Sequence, residues 1–247
     1  MIRYSPAIFI FMLLTSLLAS GCATMTSDAD QRAAAERVIA NPIRTEQDRK
    51  TDAARKPIDF ILFAGVRPGM RVLDVSAGGG YTSQLLALAV GPSGTVYAQT
   101  PRPGETLTKR LADHPQSNLV LVTRPFDDLV PEDAPKLDLV TLVLNYHDIS
   151  YLPVDRARMN ARIFAALKPG GRYVIVDHSG RPGTGITEGR TLHRIDEAVV
   201  RDEVRKAGFV LDAEGDFLRN PADARDDASG QPRVPTDKFV LRFVKPG

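Results

Sequence analysis

The chain has 247 residues, of which 43% are apolar and 25% charged, a composition typical of a globular protein. Its 32 lysines and arginines nearly balance 30 aspartates and glutamates, and the basic residues are scattered along the sequence. This pattern excludes the concentrated positive charge of a nucleic-acid-binding protein, and the absence of tryptophan argues against a broad aromatic binding surface.

The N-terminal segment predicts export. Arg3 precedes an apolar run over residues 7–18, and small residues at positions 19–21 lead into Cys22, the one cysteine of the sequence. A positive start, an apolar centre shorter than the ~20 residues of a membrane span and a small-residue cleavage site describe a secretory signal peptide.

The same segment resembles the lipobox of bacterial lipoproteins, which implies that Cys22 is acylated and becomes the first mature residue. The resemblance implies a lipoprotein held by this lipid on the periplasmic face of a bacterial membrane. Because Ala19 stands where that pattern usually has leucine, a soluble periplasmic protein is an alternative. A cysteine buried in an N-terminal helix is a third interpretation.

We expect three parts: a signal peptide (1–21), a tether with N-terminal helices (22–56) and one domain (57–247). Thr45, with an acid three residues later, has the pattern of a helix start, and Pro57 begins a further helix. Four of the basic residues that precede the first strand form either a solvated helix face or a contact for an acidic substrate. They are Arg44, Arg49, Arg55 and Lys56.

Apolar strands then alternate with helical segments. The predicted strands are 71–75, 95–98, 119–123, 137–144 and 172–177. The predicted helices are 81–90, 104–113, 155–167 and 196–207, with glycine and proline at 91–92 and 169–171 as breakers. This alternation predicts an α/β fold with a doubly wound, mostly parallel sheet.

The C-terminal part departs from the alternation. Residues 209–214 and 238–244 are predicted strands with no helix between them, so we expect an antiparallel hairpin that completes a seven-stranded sheet. The polar connection over residues 219–237 is long for a compact domain and is therefore either mobile or functional.

The most informative stretch reads VLDVSAGGG over residues 72–80 and runs into a predicted helix. A strand, a glycine turn and a helix N-terminus together form a cradle in which backbone N–H groups face a small ligand. Dinucleotide-binding chains space their glycines G-x-G-x-x-G, and Ser83 stands where the third would fall. A nicotinamide-dependent enzyme is therefore a weaker alternative.

The order of elements and this turn resemble the class I S-adenosylmethionine-dependent methyltransferases over roughly residues 57–247. Within that superfamily the chain is most similar to a bacterial group of predicted methyltransferases that are often exported. The shared segments are PGM (68–70), AGGGY (77–81), NYHD (145–148) and LHRID (192–196). The resemblance implies a Rossmann-like sheet, S-adenosyl-L-methionine as cofactor and a small-molecule methyl acceptor.

The resemblance also implies a set of cofactor-binding residues: Asp74, Ser76, Gly78, Gly79, Gly80, Tyr81, Gln99, Asp127 and Asn145. Asp74 would hold the cofactor's amino group, although an acid here can also bond only to its own turn. Ser76 replaces a family glycine, and Gln99 replaces the usual ribose-binding acid with a weaker hydrogen-bonding group. Asp127 would accept from the adenine amine, or else caps a turn.

Three of the four histidines follow predicted strands, where ligand sites form in open sheets. We take His147, Asp148, His178 and His193 as the candidate catalytic residues. One interpretation makes a histidine, with His147 favoured, the general base that removes a proton from the acceptor.

A second interpretation has His147, Asp148, Asp177 and His178 bind a divalent metal, although their spacing is no zinc signature. A third has these groups join loops by hydrogen bonds only. We assign no metal at this stage.

Two functions of different class remain open. One is a lipid-anchored S-adenosylmethionine-dependent methyltransferase. The other is a non-catalytic ligand-binding or interaction module on a methyltransferase scaffold, which the departures at Ser76 and Gln99 favour.

Overall fold

The computed structural model describes residues 27–130 and 134–247, so the predicted signal peptide and Cys22 lie outside the described residues. Within these ranges the helices are α1 (Asp28–Ala40), α2 (Glu46–Arg55), α3 (Pro57–Ala64), α4 (Tyr81–Val90), α5 (Glu105–Asp113), α6 (Tyr146–Tyr151), α7 (Arg156–Ala166) and α8 (Glu197–Lys206). The strands are β1 (Arg71–Val75), β2 (Thr95–Thr100), β3 (Leu119–Thr123), β4 (Leu137–Val143), β5 (Leu167–His178), β6 (Val210–Gly215) and β7 (Lys238–Val244). No helix of the described ranges is long and apolar enough to cross a membrane.

The first three helices begin and end where local chemistry requires it. Ser27 and Thr45 each form a capping box with the aspartate three residues on, and so start α1 and α2. Pro57 starts α3, and Gly65 ends it in the left-handed conformation that glycine adopts without strain.

The described strands form one seven-stranded sheet in the order β3-β2-β1-β4-β5-β7-β6. The strands from β3 to β5 are parallel neighbours, while β7 pairs antiparallel with both β5 and β6. The prediction of a doubly wound sheet that ends in an antiparallel hairpin is confirmed.

Both faces of the sheet are covered by helices. Successive residues of β1 point to opposite faces, so Val72 packs in the layer with α1, α3 and α4, while Leu73 packs with α6, α7 and α8. The N-terminal helix α1 belongs to this core through Ala35, which is 1% exposed.

The structure differs from the sequence prediction in two places. The breaker 169–171 lies inside β5, which begins at Leu167; an irregular register opposite β4 accommodates the left-handed Gly170. A six-residue helix, α6, follows β4, and its sequence is too short to show a periodic apolar pattern. Only α6 lies at the edge of the sheet where the carboxyl ends of the parallel strands meet; the breaker lies at the amino ends of β4 and β5.

Candidate functional site

Three residues of the glycine turn after β1 have the left-handed backbone conformation. Ser76, Gly78 and Gly80 have φ values of 58°, 54° and 82°, of which only the serine is strained. The Ala77 N–H donates to the Gln99 carbonyl at 2.8 Å and the Gly79 carbonyl accepts from Arg110 at 2.7 Å, so the turn is fixed from both sides. A Cβ on Gly78 would meet its nearest heavy atom at 3.9 Å, which leaves this part of the backbone open to a ligand.

Asp74 is buried beneath the turn. Its carboxylate accepts from Ser83 Oγ at 2.6 Å and from Thr141 Oγ1 at 2.8 Å, and so joins β1 to α4 and β4. Burial raises the pKa of Asp74 to about 6, against the opposing effect of these two hydroxyls and of Arg55. The predicted contact of Asp74 with a cofactor amino group stays a prediction.

Gln99 lies at the end of β2 with its carboxamide already engaged. Its Oε1 accepts from the Ser76 N–H at 3.1 Å, and its Nε2 donates to the Arg124 carbonyl at 2.6 Å. The side chain is fully buried and supports the turn. If Gln99 binds a ribose as predicted, its carboxamide does so while keeping these two hydrogen bonds.

The two remaining cofactor candidates lie at the same edge of the sheet. Asp127 is half-exposed in a short 3₁₀ helix, Phe126–Asp128, after β3. Asn145 is the half-buried residue before α6, and its amide donates to the Val143 carbonyl at 3.4 Å.

Side chains of α2 reach across the glycine turn. The Tyr81 hydroxyl donates to Asp52 Oδ1 at 2.6 Å, and the Arg55 guanidinium lies 5.9 Å from the centre of the Tyr81 ring. On the other side of the turn, Asp48 forms an ion pair with Arg110 at 2.7 Å. A cavity of about 20 Å³ lies between Arg55 at the end of α2, Tyr81 at the start of α4 and Lys238. The Tyr81–Asp52 and Asp48–Arg110 contacts hold α2 beside the glycine turn.

His147 is held by Asp177 in a buried pair. The Nδ1 atom of His147 lies 2.6 Å from Asp177 Oδ1, and the His147 backbone N–H donates to the other carboxylate oxygen at 2.8 Å. The short helix α6 positions the histidine, and the end of β5 positions the aspartate. Burial alone would lower the pKa of His147, but Asp177 and Asp148 outweigh it and raise the pKa to about 10.

Asp148 joins His147 to His193. Its Oδ1 lies 3.3 Å from His147 Nε2 and 3.1 Å from His193 Nδ1. Burial alone would raise the pKa of Asp148, but the bond to His147 and the other donors around it lower the pKa to about 2. His193 has a φ of 51° and a side chain that is 45% exposed, so this strained residue presents its ring to solvent.

His178 has a different hydrogen-bonding partner from His147 and His193, which both lie against Asp148. Its Nδ1 lies 2.9 Å from Thr236 Oγ1, although its ring centre is 5.8 Å from that of His147. Burial and the neighbouring Lys238 lower its pKa to about 2. The metal set predicted with Asp177 and His178 is therefore corrected: among the described residues, the donors that converge are His147, Asp148 and His193.

A cavity of about 660 Å³ lies at the carboxyl end of β5, where His178 forms part of its lining. The end of α2, His178 and the segment 217–238 line it, and its charged lining residues are all basic: Arg55, Lys56, Arg219 and Lys238. Lys238 is 8% exposed, and its Nζ donates to the Thr236 carbonyl at 3.2 Å. Burial lowers the pKa of Lys238, and the nearby charge of Arg55 lowers it further.

Sequence reasoning missed several residues of this region. Ser83, Thr141 and Asp52 bond to predicted site residues, and Lys238 lines the cavity from the start of β7. Helical spacing places Ser83 over the turn and could have found it. Thr141 lies in an apolar strand and Asp52 in a polar helix, so no local pattern marks either one.

The curated relatives are methyltransferases. The chain is 31% identical over 127 residues to a ubiquinone/menaquinone biosynthesis C-methyltransferase, UbiE, of Ectopseudomonas mendocina, which covers 50% of this chain and 47% of the relative. It is 30% identical over 121 residues to the UbiE of Bordetella parapertussis, covering 47% and 43%. The chain thus matches a little under half the length of these relatives, and no family model matches it.

Solved structures share the fold. A SAM-dependent methyltransferase of Aquifex aeolicus has a TM-score of 0.57 at 16% identity and covers 86% of this chain and 97% of its own. A TehB-like SAM-dependent methyltransferase of Corynebacterium glutamicum has a TM-score of 0.52 at 18% identity, with coverage of 89% and 100%. A SAM-dependent O-methyltransferase of Thermotoga maritima has a TM-score of 0.52 at 19% identity, with coverage of 87% and 71%.

The fold is therefore that of the class I S-adenosylmethionine-dependent methyltransferases, and the chain is homologous to UbiE methyltransferases over about half its length.

Proposed function

We propose that this chain is an S-adenosylmethionine-dependent methyltransferase acting on a small acidic molecule. The observation that carries the proposal is the turn over residues 76–80, which leaves β1 with its Gly78 backbone open and with a buried carboxylate, Asp74, beneath it. A sulfonium cofactor carries no phosphate, and a turn that combines close backbone approach with a nearby acid suits its amino acid portion.

The residues that would hold the cofactor are those of the turn together with Tyr81, Asp127 and Asn145. Gln99 would act chiefly by holding the Ser76 backbone in place. When bound, the cofactor supplies an electrophilic methyl group. Because the Tyr81 hydroxyl bonds to Asp52 and the Arg55 guanidinium lies over the Tyr81 ring, a movement of Tyr81 on binding would carry the end of α2 with it.

The acceptor is proposed to occupy the 660 Å³ cavity, whose size suits a small organic molecule. Lys238 lines that cavity nearly buried, with a carbonyl as its hydrogen-bonding partner, and Arg55 lies against the Tyr81 ring. Buried cations are normally compensated by an anion, so an acidic group on the acceptor would stabilise both. The apolar lining from Leu144, Phe217 and Leu218 fits an apolar body.

This chain's own contribution to methyl transfer is orientation and proton handling. Asp177 lies at Nδ1 of His147 and Asp148 at Nε2, so the two carboxylates hold this ring in place. His193 is the more exposed of the two imidazoles beside Asp148 and, with no ion bound, is the proposed residue for removing a proton from the acceptor.

Calorimetry with S-adenosylhomocysteine tests the cofactor proposal. We expect the purified chain to bind it, and Gly78→Ala to weaken binding about tenfold or more, because the new methyl occupies the open side of the turn. Gly185→Ala is the matched control, since Gly185 has a similar φ of 60° and a Cβ there meets nothing within 4 Å. Folded protein that gives no heat at millimolar ligand contradicts the proposal.

The acceptor class is tested separately, by methyl transfer from labelled cofactor to pairs of carboxylic acids and their neutral methyl esters. We expect turnover of acids only, with its loss in Lys238→Met while S-adenosylhomocysteine affinity is unchanged. Equal turnover of the esters would contradict the acidic-acceptor proposal alone.

We further propose that residues 1–21 direct export and that Cys22 carries a lipid anchor. The support is the order of charge, apolar run and small residues in the sequence. Mass spectrometry of the membrane fraction should find a mature N-terminal peptide with more than one acyl chain, since a single chain anchors weakly. Cys22→Ala should abolish it; an unmodified full-length N-terminus in the wild type would contradict the proposal.

A non-catalytic ligand-binding module is the second candidate, favoured by the Gln99 carboxamide, whose oxygen and nitrogen are already hydrogen-bonded within the protein. Cofactor binding without turnover of any acceptor would favour the module. So would a cellular function that the His193→Ala variant retains.

A further inference from the structure

Three donor atoms converge around the start of α6: His147 Nε2, one carboxylate oxygen of Asp148 and a ring nitrogen of His193 all lie within 4.8 Å of one another. We call these residues the HDH cluster. Asp148 Oδ1 lies 3.3 Å from His147 Nε2 and 3.1 Å from His193 Nδ1. Around an ion with bonds of about 2.1 Å, neighbouring tetrahedral ligand atoms lie about 3.4 Å apart. Two of the three separations therefore already match those of a coordinated ion.

The His147 ring is oriented as metal-binding imidazoles usually are. Asp177, fully buried, takes the Nδ1 side of the ring at 2.6 Å and also accepts from the His147 backbone. The opposite nitrogen, Nε2, is thereby directed at Asp148. A carboxylate behind the ring fixes its tautomer and increases its basicity toward a metal.

The cluster is accessible on one side only. The His147 side chain is 4% exposed, whereas those of Asp148 and His193 are 32% and 45% exposed. An ion can therefore enter from solvent past His193. Three protein ligands with one open side are the arrangement of a catalytic site, in which a fourth position takes water or substrate.

We propose that His147, Asp148 and His193 bind one divalent transition-metal ion. Two imidazoles and a carboxylate select zinc, iron(II) or a similar ion over magnesium, which prefers oxygen ligands. The site goes beyond the proposed function, because the ion binds whether or not methyl transfer occurs.

Calorimetry on the purified, chelator-treated chain tests the site with zinc chloride and magnesium chloride as probes. We expect one equivalent of zinc per chain and at least about a hundredfold weaker binding of magnesium. His193→Ala, at a half-exposed position, should weaken zinc binding at least tenfold without unfolding the chain. His114→Ala removes a histidine at the end of α5 and is the matched control.

Asp177→Asn should weaken zinc binding about 10- to 100-fold through loss of ring orientation, as measured for such partners elsewhere. Wild-type protein that takes up no stoichiometric zinc, or His193→Ala that binds zinc as the wild type does, overturns the proposal. S-adenosylhomocysteine binding measured on the same samples separates this failure from failure of the methyltransferase proposal.

Discussion

At the scale of single residues, the glycine turn carries a strained serine. Ser76 has a φ of 58°, a conformation that costs a non-glycine residue about 1–2 kcal/mol. The strain persists because the Ser76 N–H bonds to Gln99 and the next N–H bonds to the Gln99 carbonyl. Backbone strain held by such surroundings is typical of ligand sites.

Ser76→Gly should therefore stabilise the fold. The released strain exceeds the roughly 0.5–1 kcal/mol that glycine costs through the freedom of the unfolded chain, for a net gain of roughly 0.5–1 kcal/mol. Urea unfolding measures it. Ser93→Gly, an exposed position outside the left-handed set, is the control and should give no gain. A destabilised Ser76→Gly protein would show that the serine side chain, not the backbone, matters here.

Asp74 should make ligand binding depend on pH. Its folded-state pKa of about 6 lies above the ordinary 3.8, so its neutral form favours folding. That contribution is complete below pH 3.8 and is lost as the pH rises through about 6. A cationic amino group requires the ionised carboxylate, so binding has the opposite dependence.

We expect S-adenosylhomocysteine affinity to fall about tenfold between pH 7 and pH 5, and Asp74→Asn to remove most of this dependence. Calorimetry at the two pH values measures it. The same pH dependence in wild type and Asp74→Asn would assign the effect to another group.

At the scale of elements, α2 is attached by polar contacts. Of its ten residues only Asp48 is buried, and that residue is paired with Arg110. An element with little apolar burial opens locally at low free-energy cost. The helix that covers the cradle is thus the one best suited to move away from it.

Tyr81→Phe keeps the ring and removes one hydroxyl bond to Asp52, worth about 1 kcal/mol. Amide hydrogen exchange in the C-terminal half of α2 should then quicken about fivefold, with α4 unchanged. Tyr151→Phe removes a similar hydroxyl–carboxylate bond in α6 and is the control. Equal effects of the two variants on α2 would contradict the proposed closure by Tyr81.

Sequence patterns predicted most elements because their signals are local. The capping pair Thr45 and Asp48 indicates the start of α2, and Gly91 indicates the end of α4. The apolar run of β4 indicates a buried strand. The site was predicted only in part. The predicted strand ends show that His147, His178 and His193 lie at one edge of the sheet. The Asp177–His147 pair could not be predicted, because it depends on the register in which β4 pairs with β5.

At the scale of the whole molecule, the long connection between β6 and β7 is tied to the sheet by a buried ion pair. Arg194 and Asp223 are 0% and 2% exposed and meet at 2.8 Å, and Arg194 also donates to the carbonyls of Ser179 and Asp227. The connection forms part of the acceptor cavity, so this pair supports the cavity wall. Sequence gave no sign of it, because the partners are 29 residues apart.

Arg194→Met should cost about 3–5 kcal/mol of unfolding free energy, because it leaves a buried aspartate without its partner. Arg233→Met breaks pairs in which the arginine is 70% exposed and should cost less than about 1 kcal/mol. Denaturant unfolding of both variants measures the difference. Similar small losses would mean that the connection is loosely held.

The position of β7 has a consequence for how the chain is made. It pairs with β5 on one side and β6 on the other, although it follows both in the sequence. Until residues 238–244 leave the ribosome, neither neighbour has its partner and the exposed backbone edge of β5 stays unmatched. Completion of the sheet therefore waits until residues 238–244 have been made.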